Sequence, residues 1–382
     1  MSVTAARGFV AAAATAGLKP SGMPDVALVV NTGPSSAAAA VYTSNRCKAN
    51  PVLWSERASA DGAVRAVVLN SGGANCYTGP DGFATTHATA ELVGELVGAG
   101  AGDVVVCSTG LIGVAFSTER LLSGVHAAHA ALSADGGADA AVAIMTTDTV
   151  VKQAVVHGDG FTVGGMAKGA GMLAPALATM LVVLTTDASV DPQGCDAALR
   201  AATVRTFDRI DSDGCQSTND TVVLMASGSA AEPTPEAFAD AVLAVCHDLA
   251  QQLLGDAEGS EHDIAIEVRG AAAEADALEV GRAIARNALV KTAVFGRDPN
   301  WGRILAAVGT TAAAFDPLDL DVAVNGVWVC RGSTPAADPA SVDLSERAVT
   351  LTVDLKSGGH DATVWTNDLT HAYVHENSAY ST

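Results

Sequence analysis

The stretch KGAGMLAPALATMLVVLTTD, residues 168–187, decides how the chain is interpreted. From Thr179 it opens into an apolar run, which is typical of a buried strand. The approach to that run is rich in glycine, so the backbone there can come close to a reacting group. A hydroxyl at the leading edge is most simply a cap or a packing residue of the strand. If the Ala178–Thr179 bond were cut, however, Thr179 would carry a free α-amine beside its hydroxyl, a known form of activated nucleophile.

The composition bounds the class of protein. The 382 residues are 49% hydrophobic and 4% aromatic, which suffices for two domains or one large layered one with a core of Ala, Val and Leu. The net charge of −21 argues against nucleic-acid binding, which needs clustered Lys and Arg. No apolar run approaches about 20 residues, so no membrane span is expected. Seven cysteines without a CxxC pair fit reduced thiols, and we expect a cytoplasmic protein.

Hydrophobic periodicity predicts strands and helices that alternate along the chain. The predicted strands are 64–70, 103–107, 222–226, 264–268, 319–330 and 362–366. The predicted helices are 82–98, 121–132, 138–145, 195–206, 236–254 and 274–287. This mixture indicates an α/β or α+β layered fold. The expected break between units lies at about residues 184–192.

Four further residues are candidates for chemistry, each with a plainer alternative. Thr109 and Gly110 follow a predicted strand and can offer two donors to one oxyanion, or form an ordinary strand-ending turn. Lys168, eleven positions before Thr179, can hold a carboxylate or lie on the surface. Glu258 follows a long helix, where an acid opposes the helix dipole unless it has a partner such as a substrate amine.

Metal and phosphate sites are not expected. The glycine-rich residues 164–172 lack the Walker spacing and the GK[ST] ending of a P-loop. The pairs His126/His129 and His371/His375 have helical spacing, but no Cys or acidic complement is arranged around them as in a zinc site.

Nine motifs spread over nearly the whole chain carry a resemblance to one family. They are GFVAAAATAGLKPSG (8–22), LNSGGANCYTG (69–79), CSTGLIG (107–113), IMTTDT (144–149), GGMAKGAGMLAPALATMLVVLTTDA (164–188), DSDGCQSTNDTVVLMASG (211–228), DAEG (256–259), FGRDPNWGRILAAVG (295–309) and DLTHAYVHENSAYST (368–382). In these the chain resembles the ornithine acetyltransferases, the bifunctional glutamate N-acetyltransferases of arginine biosynthesis.

The resemblance implies an αββα-layered fold of the DmpA/ArgJ type with N-terminal-nucleophile chemistry. It also implies self-cleavage between Ala178 and Thr179 into an α chain, 1–178, and a β chain, 179–382, assembled as α2β2. No cofactor is implied, although acetyl-CoA can be a co-substrate in such proteins.

The same resemblance assigns roles to residues. Thr179 corresponds to the nucleophile, and Thr109 and Gly110 to the oxyanion hole. Substrate contacts are implied at a set of residues on both sides of the cleavage position: Thr146 or Thr147, Lys168, Thr179, Glu258, Asn377 and Thr382. The implied reaction is ping-pong transfer of acetyl from N2-acetyl-L-ornithine to L-glutamate.

The chain departs from the family pattern after DAEG. Ser260–Asp263, SEHD, stands where the family usually has a small residue or Thr and then Lys. The alternatives are therefore a paralogous acyltransferase of a specialised, antibiotic-type pathway or an amide hydrolase on the same fold. A non-catalytic amino-acid-binding protein is a third alternative, against which the intact Thr179, Thr109 and Lys168 argue.

Overall fold

The computed structural model describes residues 2–172 and 180–379. The strands are β1 (Phe9–Ala14), β2 (Val26–Asn31), β3 (Ala38–Tyr42), β4 (Ala66–Asn70), β5 (Val104–Ser108), β6 (Lys152–His157), β7 (Thr162–Lys168), β8 (Leu181–Thr186), β9 (Thr221–Ala226), β10 (Asp263–Ala271), β11 (Asp321–Val324), β12 (Val327–Arg331), β13 (Thr334–Pro335), β14 (Ala348–Asp354) and β15 (His360–Asn367). The α-helices are α1 (Asn50–Ala58), α2 (Gly79–Val97), α3 (Thr118–Ala130), α4 (Gly137–Ala143), α5 (Pro192–Arg205), α6 (Pro235–Gly255), α7 (Glu274–Ala285), α8 (Ala288–Phe295), α9 (Trp301–Val308) and α10 (His371–Ala379). None of these described helices is long and apolar enough to cross a membrane.

Two stacked sheets form the centre of the molecule. The first has the strand order β1-β2-β4-β5, and the second has the order β3-β9-β8-β7-β6. Buried side chains from both sheets share the layer between them, including Leu69 and Val105 from the first sheet and Leu181 and Val183 from the second. This shared layer is one continuous apolar core.

Helices cover the outer face of each sheet. Val68 and Val106 of the first sheet pack in one cluster with residues of α2 and α3. Val182 and Leu184 of the second sheet pack with residues of α5 and α6. Successive side chains of β8 thus face opposite layers, both of them buried, which explains why its sequence is continuously apolar rather than alternating. The layers follow the order αββα, so the predicted fold class is confirmed.

The expected break at residues 184–192 is wrong. β8 is hydrogen-bonded to β7, which precedes it, and to β9, which follows it. α5 begins at Pro192 and contributes Cys195 and Leu199 to the same core as β8. The loop was mistaken for a boundary because its polar and proline residues only mark the N-cap of α5, where Asp191 accepts a hydrogen bond from the Gly194 amide.

A second unit follows the αββα body. Its six strands have the order β13-β12-β11-β14-β10-β15, and α7, α8 and α9 contribute to its separate apolar core. The predicted single strand 319–330 is instead the hairpin of β11 and β12. Asn325 and Gly326 have φ of 46° and 79°, so they form the Asn-Gly turn that joins two antiparallel strands.

Strand ends from both central sheets come together at one edge of the body. In the second sheet, Lys168 at the end of β7 pairs with Leu181 at the start of β8, which pairs with Thr221 of β9. In the first sheet, Asn70 at the end of β4 pairs with Ser108 at the end of β5. The loops that leave these ends build the candidate site.

Candidate active site

A cavity of about 600 Å³ lies at this edge of the sheets. It is lined by seven of the residues that the sequence singled out: Thr109, Gly110, Thr146, Thr147, Lys168, Glu258 and Asn377. These residues are up to 268 positions apart in sequence (377 − 109), and the fold brings them to one surface. Both Thr146 and Thr147 line the cavity, so the choice between them stays open.

Thr109 and Gly110 continue directly from β5. The Thr109 amide donates to the Asn70 carbonyl at 2.9 Å, and the Thr109 carbonyl accepts from the Gly73 amide at 2.9 Å. Gly110 has φ of 127°, and a Cβ there would lie 2.8 Å from the Gly73 nitrogen. Only glycine fits this conformation and this close approach, so the backbone turn that presents Gly110 depends on that residue.

Lys168 is a buried lysine rather than the surface lysine of the plainer alternative; it is 2% exposed. Its Nζ donates to Thr109 Oγ1 at 3.2 Å. Because this oxygen already accepts from an ammonium, the hydroxyl hydrogen of Thr109 is left to be donated to another acceptor. Burial lowers the pKa of Lys168, while Asp148 opposite it acts to raise that pKa.

Asp148 connects the loop that carries Thr146 to the loop that begins after Lys168, the last residue of β7. Its carboxylate accepts from the Thr146 amide at 3.0 Å, from the Gly169 amide at 2.7 Å and from Lys152 Nζ at 2.7 Å. Burial acts to raise the pKa of Asp148, but Lys168 and Lys152 outweigh it and lower the pKa to about 2. The carboxylate therefore stays ionised and fixes the register of both loops.

The buried ion pair extends from Lys152 to the end of α6. Lys152 Nζ, which is fully buried, also donates to Asp256 Oδ2 at 2.5 Å. Asp256 occupies the C-cap of α6, where its charge opposes the helix dipole, and Lys152 supplies the compensating charge. The expected cost of an acid at this helix end therefore concerns Asp256, since Glu258 lies beyond the helix.

Glu258 also lines the cavity and is 8% exposed. Its amide donates to the Ala170 carbonyl at 3.0 Å, which ties it to the chain just after Lys168. A Cβ at Gly171 would lie 2.7 to 2.8 Å from the Glu258 carboxylate, so the glycine makes room for that group. The turn of Glu258 and the segment after Lys168 therefore bring an acid and a lysine to the same cavity.

Helix α10 lines the cavity beside Glu258, with Tyr373 and Asn377. The Thr370 hydroxyl donates to the Gly259 carbonyl at 2.6 Å and accepts from the Tyr373 amide at 2.9 Å, so the helix starts directly on the Glu258 turn. Burial, together with Asp213 and Glu258, raises the pKa of Tyr373 to about 12. Asn377 lies one turn further along the helix.

The loop before β9 joins the two sheets at the cavity. Asn219 Nδ2 donates to the carbonyls of Ala74 at 2.7 Å and Ser108 at 2.8 Å. Asp220, fully buried, accepts from the Met180 amide at 2.9 Å, and burial raises its pKa well above the ordinary value. This loop therefore links the end of β5 to the residue that directly follows Thr179.

Three of the predicted residues, Ala178, Thr179 and Thr382, lie outside the described residues. Within residues 2–172 and 180–379, no group of three or more His, Cys, Asp or Glu could hold a metal ion.

Comparison with known proteins identifies the family. The model of the ArgJ family matches residues 10–382. The arginine biosynthesis bifunctional protein ArgJ of Streptomyces coelicolor is 62% identical over 382 residues, all of both chains, and that of Streptomyces avermitilis is 63% identical over 383 residues, again all of both.

The chain belongs to the ArgJ family.

A solved ornithine acetyltransferase from Mycobacterium tuberculosis, complexed with ornithine, is 52% identical to this ArgJ-family chain. That match covers 47% of this chain and 96% of the solved chain, with a TM-score of 0.45. The curated ArgJ relatives confirm the prediction of an acyltransferase enzyme of arginine biosynthesis.

Several residues that line the cavity of this ArgJ-family chain are not among those that the sequence predicts for the site. They are Leu18, Lys19, Pro20, Ser21, Ser71, Asp213, Ser217, Asn219 and Tyr373, with others. All of them fall in motifs quoted for the resemblance, but the residue types alone do not distinguish a lining lysine such as Lys19 from a surface one.

The departure at Ser260–Asp263 serves packing within the second unit, at the start of β10. His262 is buried, and its Nδ1 lies 2.7 Å from Asp368 Oδ2. Arg347 Nε donates to Asp263 Oδ2 at 2.9 Å. None of these four residues lines the cavity.

Proposed function

We propose that the protein transfers the acetyl group of N2-acetyl-L-ornithine to L-glutamate through an acetyl ester on Thr179. Membership of the ArgJ family supports this proposal. The observation that carries it is that Thr109, Gly110, Lys168 and Glu258 line one cavity. The enzyme is expected to work in the cytoplasm without a cofactor.

The nucleophile would be generated by cleavage of the chain itself. Thr179 Oγ adds to the Ala178 carbonyl, the C–N bond breaks, and an ester forms beside a free α-amine. Water then hydrolyses the ester and leaves Ala178 as a carboxylate. The chains 1–178 and 179–382 stay together and pair again as α2β2.

In the first half-reaction, the Thr179 α-amine accepts the hydroxyl proton while Oγ attacks the acetyl carbonyl. An α-amine has a pKa near 8 in model peptides, which suits a base at cellular pH. The Thr109 hydroxyl and the Gly110 amide would donate to the oxyanion, whose stabilisation is worth roughly 3 to 4 kcal/mol per donor in well-studied hydrolases. The proton then passes to the departing nitrogen, and ornithine leaves.

In the second half-reaction, the amine of glutamate attacks the acetyl ester. The Thr179 α-amine accepts the proton from that nitrogen and returns one to Oγ, so N-acetylglutamate leaves and the enzyme is regenerated. Lys168 and Glu258 both line the cavity, where Lys168 suits the α-carboxylate that both substrates share and Glu258 suits the side-chain amine of ornithine.

Intact mass after denaturing electrophoresis, with an acetyl-transfer assay, tests the proposal. We expect two fragments that meet at Ala178/Thr179 and transfer of labelled acetyl from N2-acetylornithine to glutamate. Thr179→Ala should stay one chain without activity, and Thr179→Ser, which keeps a hydroxyl, should retain part of both.

A single full-length chain that still transfers acetyl groups would contradict the mechanism, which needs the free α-amine of Thr179. Cleavage without transfer to glutamate would instead favour a paralogue or an amide hydrolase with the same nucleophile.

A further inference from the structure

Lys19 is a second lysine of the cavity, and the proposed roles leave it unused. It lines the same cavity as Lys168. Its backbone is fixed, because the buried carboxylate of Asp25 accepts from the amides of Ala16 at 2.6 Å, Leu18 at 2.6 Å and Lys19 at 3.1 Å. The loop therefore presents this side chain at a defined point of the cavity wall.

The ammonium of Lys19 is held by neutral groups. Nζ donates to the Pro24 carbonyl at 3.0 Å and to the Ala143 carbonyl at 3.3 Å. Within residues 2–172 and 180–379, no carboxylate lies within 4.0 Å of it. Among the described residues, two of its three N–H groups thus have acceptors, and no direct ion pair cancels its charge.

The charges around Lys19 favour an anion in the cavity. Burial lowers the pKa of Lys19, and the like charge of Lys168 lowers it further, while Asp25 and Asp148 act in the opposite direction. An anion between the two lysines would relieve their repulsion and attract both.

The two amino acids of the proposed reaction differ in charge at their side chains. Ornithine has one carboxylate and a side-chain amine, whereas glutamate has two carboxylates. A lysine that holds the shared α-carboxylate leaves the second carboxylate of glutamate without a cation. Glu258, which lines the same cavity, suits the side-chain amine of ornithine and repels that carboxylate.

We propose that Lys19 recognises the side-chain carboxylate of glutamate and so sets acceptor specificity. This assignment rests on the proposed function, in which glutamate is the acceptor. A charged hydrogen bond of this kind is worth about 1.5 to 3 kcal/mol, or roughly 10- to 100-fold in specificity.

The test compares glutamate with glutamine, which has the same shape and no side-chain charge. In Lys19→Met we expect the ratio of kcat/KM for glutamate over glutamine to fall 10-fold or more. Ornithine release from N2-acetylornithine, measured in a single turnover without acceptor, should change less than about threefold. Lys19→Arg should recover most of the ratio, and Lys356→Met, on the second unit, should leave it unchanged.

If the acceptor ratio in Lys19→Met equals that of the wild type, Lys19 only holds the loop and the assignment fails. Calorimetric titration with glutamate separates this failure from that of the proposed function. A wild type that binds glutamate more tightly than Lys19→Met does, yet transfers no acetyl, keeps the lysine assignment and overturns the reaction.

Discussion

The two walls of the cavity differ in charge and in construction. The wall formed by the first 172 residues has Lys168 and Thr109 at strand ends, where the Lys168 ammonium donates to Thr109 Oγ1, and Lys19 in the loop between β1 and β2. The wall from residue 180 onward has Glu258 and Tyr373 on a turn and a helix start. The residues proposed to stabilise the oxyanion and to bind carboxylates thus lie mainly at the ends of sheet strands. The residue proposed to bind the cationic side chain of ornithine lies in a turn. Variants of matched residues on each wall should therefore have different kinetic signatures.

The largest effect is expected from Gly110→Ala on the lysine wall. A Cβ there would lie 2.8 Å from the Gly73 nitrogen and 2.9 Å from Gly73 Cα, so the oxyanion donors must shift. We expect kcat to fall by about 10²- to 10³-fold, the usual loss for one oxyanion donor, with KM nearly unchanged. Steady-state kinetics check this.

Gly113→Ala is the matched control, because Gly113 also has positive φ, at 77°, but a Cβ there would meet nothing within 4 Å. Equal losses in the two variants would show that strain in the loop, rather than the position of Gly110, matters.

A smaller effect, confined to one substrate, is expected from Glu258→Gln on the wall formed from residue 180 onward. Loss of the carboxylate charge should raise KM for N2-acetylornithine by roughly 10- to 100-fold, and it should not weaken the glutamate half-reaction, since that charge repels the side chain of glutamate. Gly171→Ala, whose Cβ would crowd the same carboxylate, should change KM in the same direction by less. Kinetics of the two half-reactions, measured separately for each variant, check this prediction. A fall of both half-reactions by the same factor would remove the contrast between the walls.

The smallest effect concerns the stability of the lysine wall. The pKa of Asp148 is lowered from 3.8 to about 2, so its contribution is fully present above pH 4 and is lost as the pH falls toward 2. A shift of this size corresponds to about 2 kcal/mol of unfolding free energy. The stability advantage of the wild type over Asp148→Asn should therefore be largest near pH 7 and begin to shrink below pH 4 in urea titrations.

Asp159→Asn, at an exposed position, is the matched control for Asp148→Asn. An advantage of the wild type that is constant from pH 7 to pH 3 would show that Asp148 contributes only through hydrogen bonds that an amide can replace.

Local pattern was sufficient to predict much of the fold. The apolar run after Thr179 is a strand because both its faces are buried, and the predicted helix 236–254 is α6 because its apolar residues have helical spacing. The hairpin of β11 and β12 was misread because the flanking apolar residues outweighed the Asn325-Gly326 signal.

The electrostatics of the site could not be predicted from local pattern. Lys152 and Asp256 are 104 positions apart, and no periodicity links them. Lys168 in isolation resembles a surface lysine, and its burial depends on Asp148 and on the packing of two sheets. The resemblance supplied candidate residues, whereas the cavity shows which of them share a surface.

The pairing of β7 with β8 has a consequence for the stability of the protein after cleavage. The proposed cleavage position lies in the connection between these strands, whose ladder runs from Lys168↔Leu181 to Val163↔Thr186. Before cleavage the strands are joined covalently, and unfolding is unimolecular. After cleavage the same hydrogen bonds become a contact between two chains, so unfolding releases two molecules and the midpoint depends on protein concentration. Reassembly would then be a second-order encounter of two fragments that each expose half of a core.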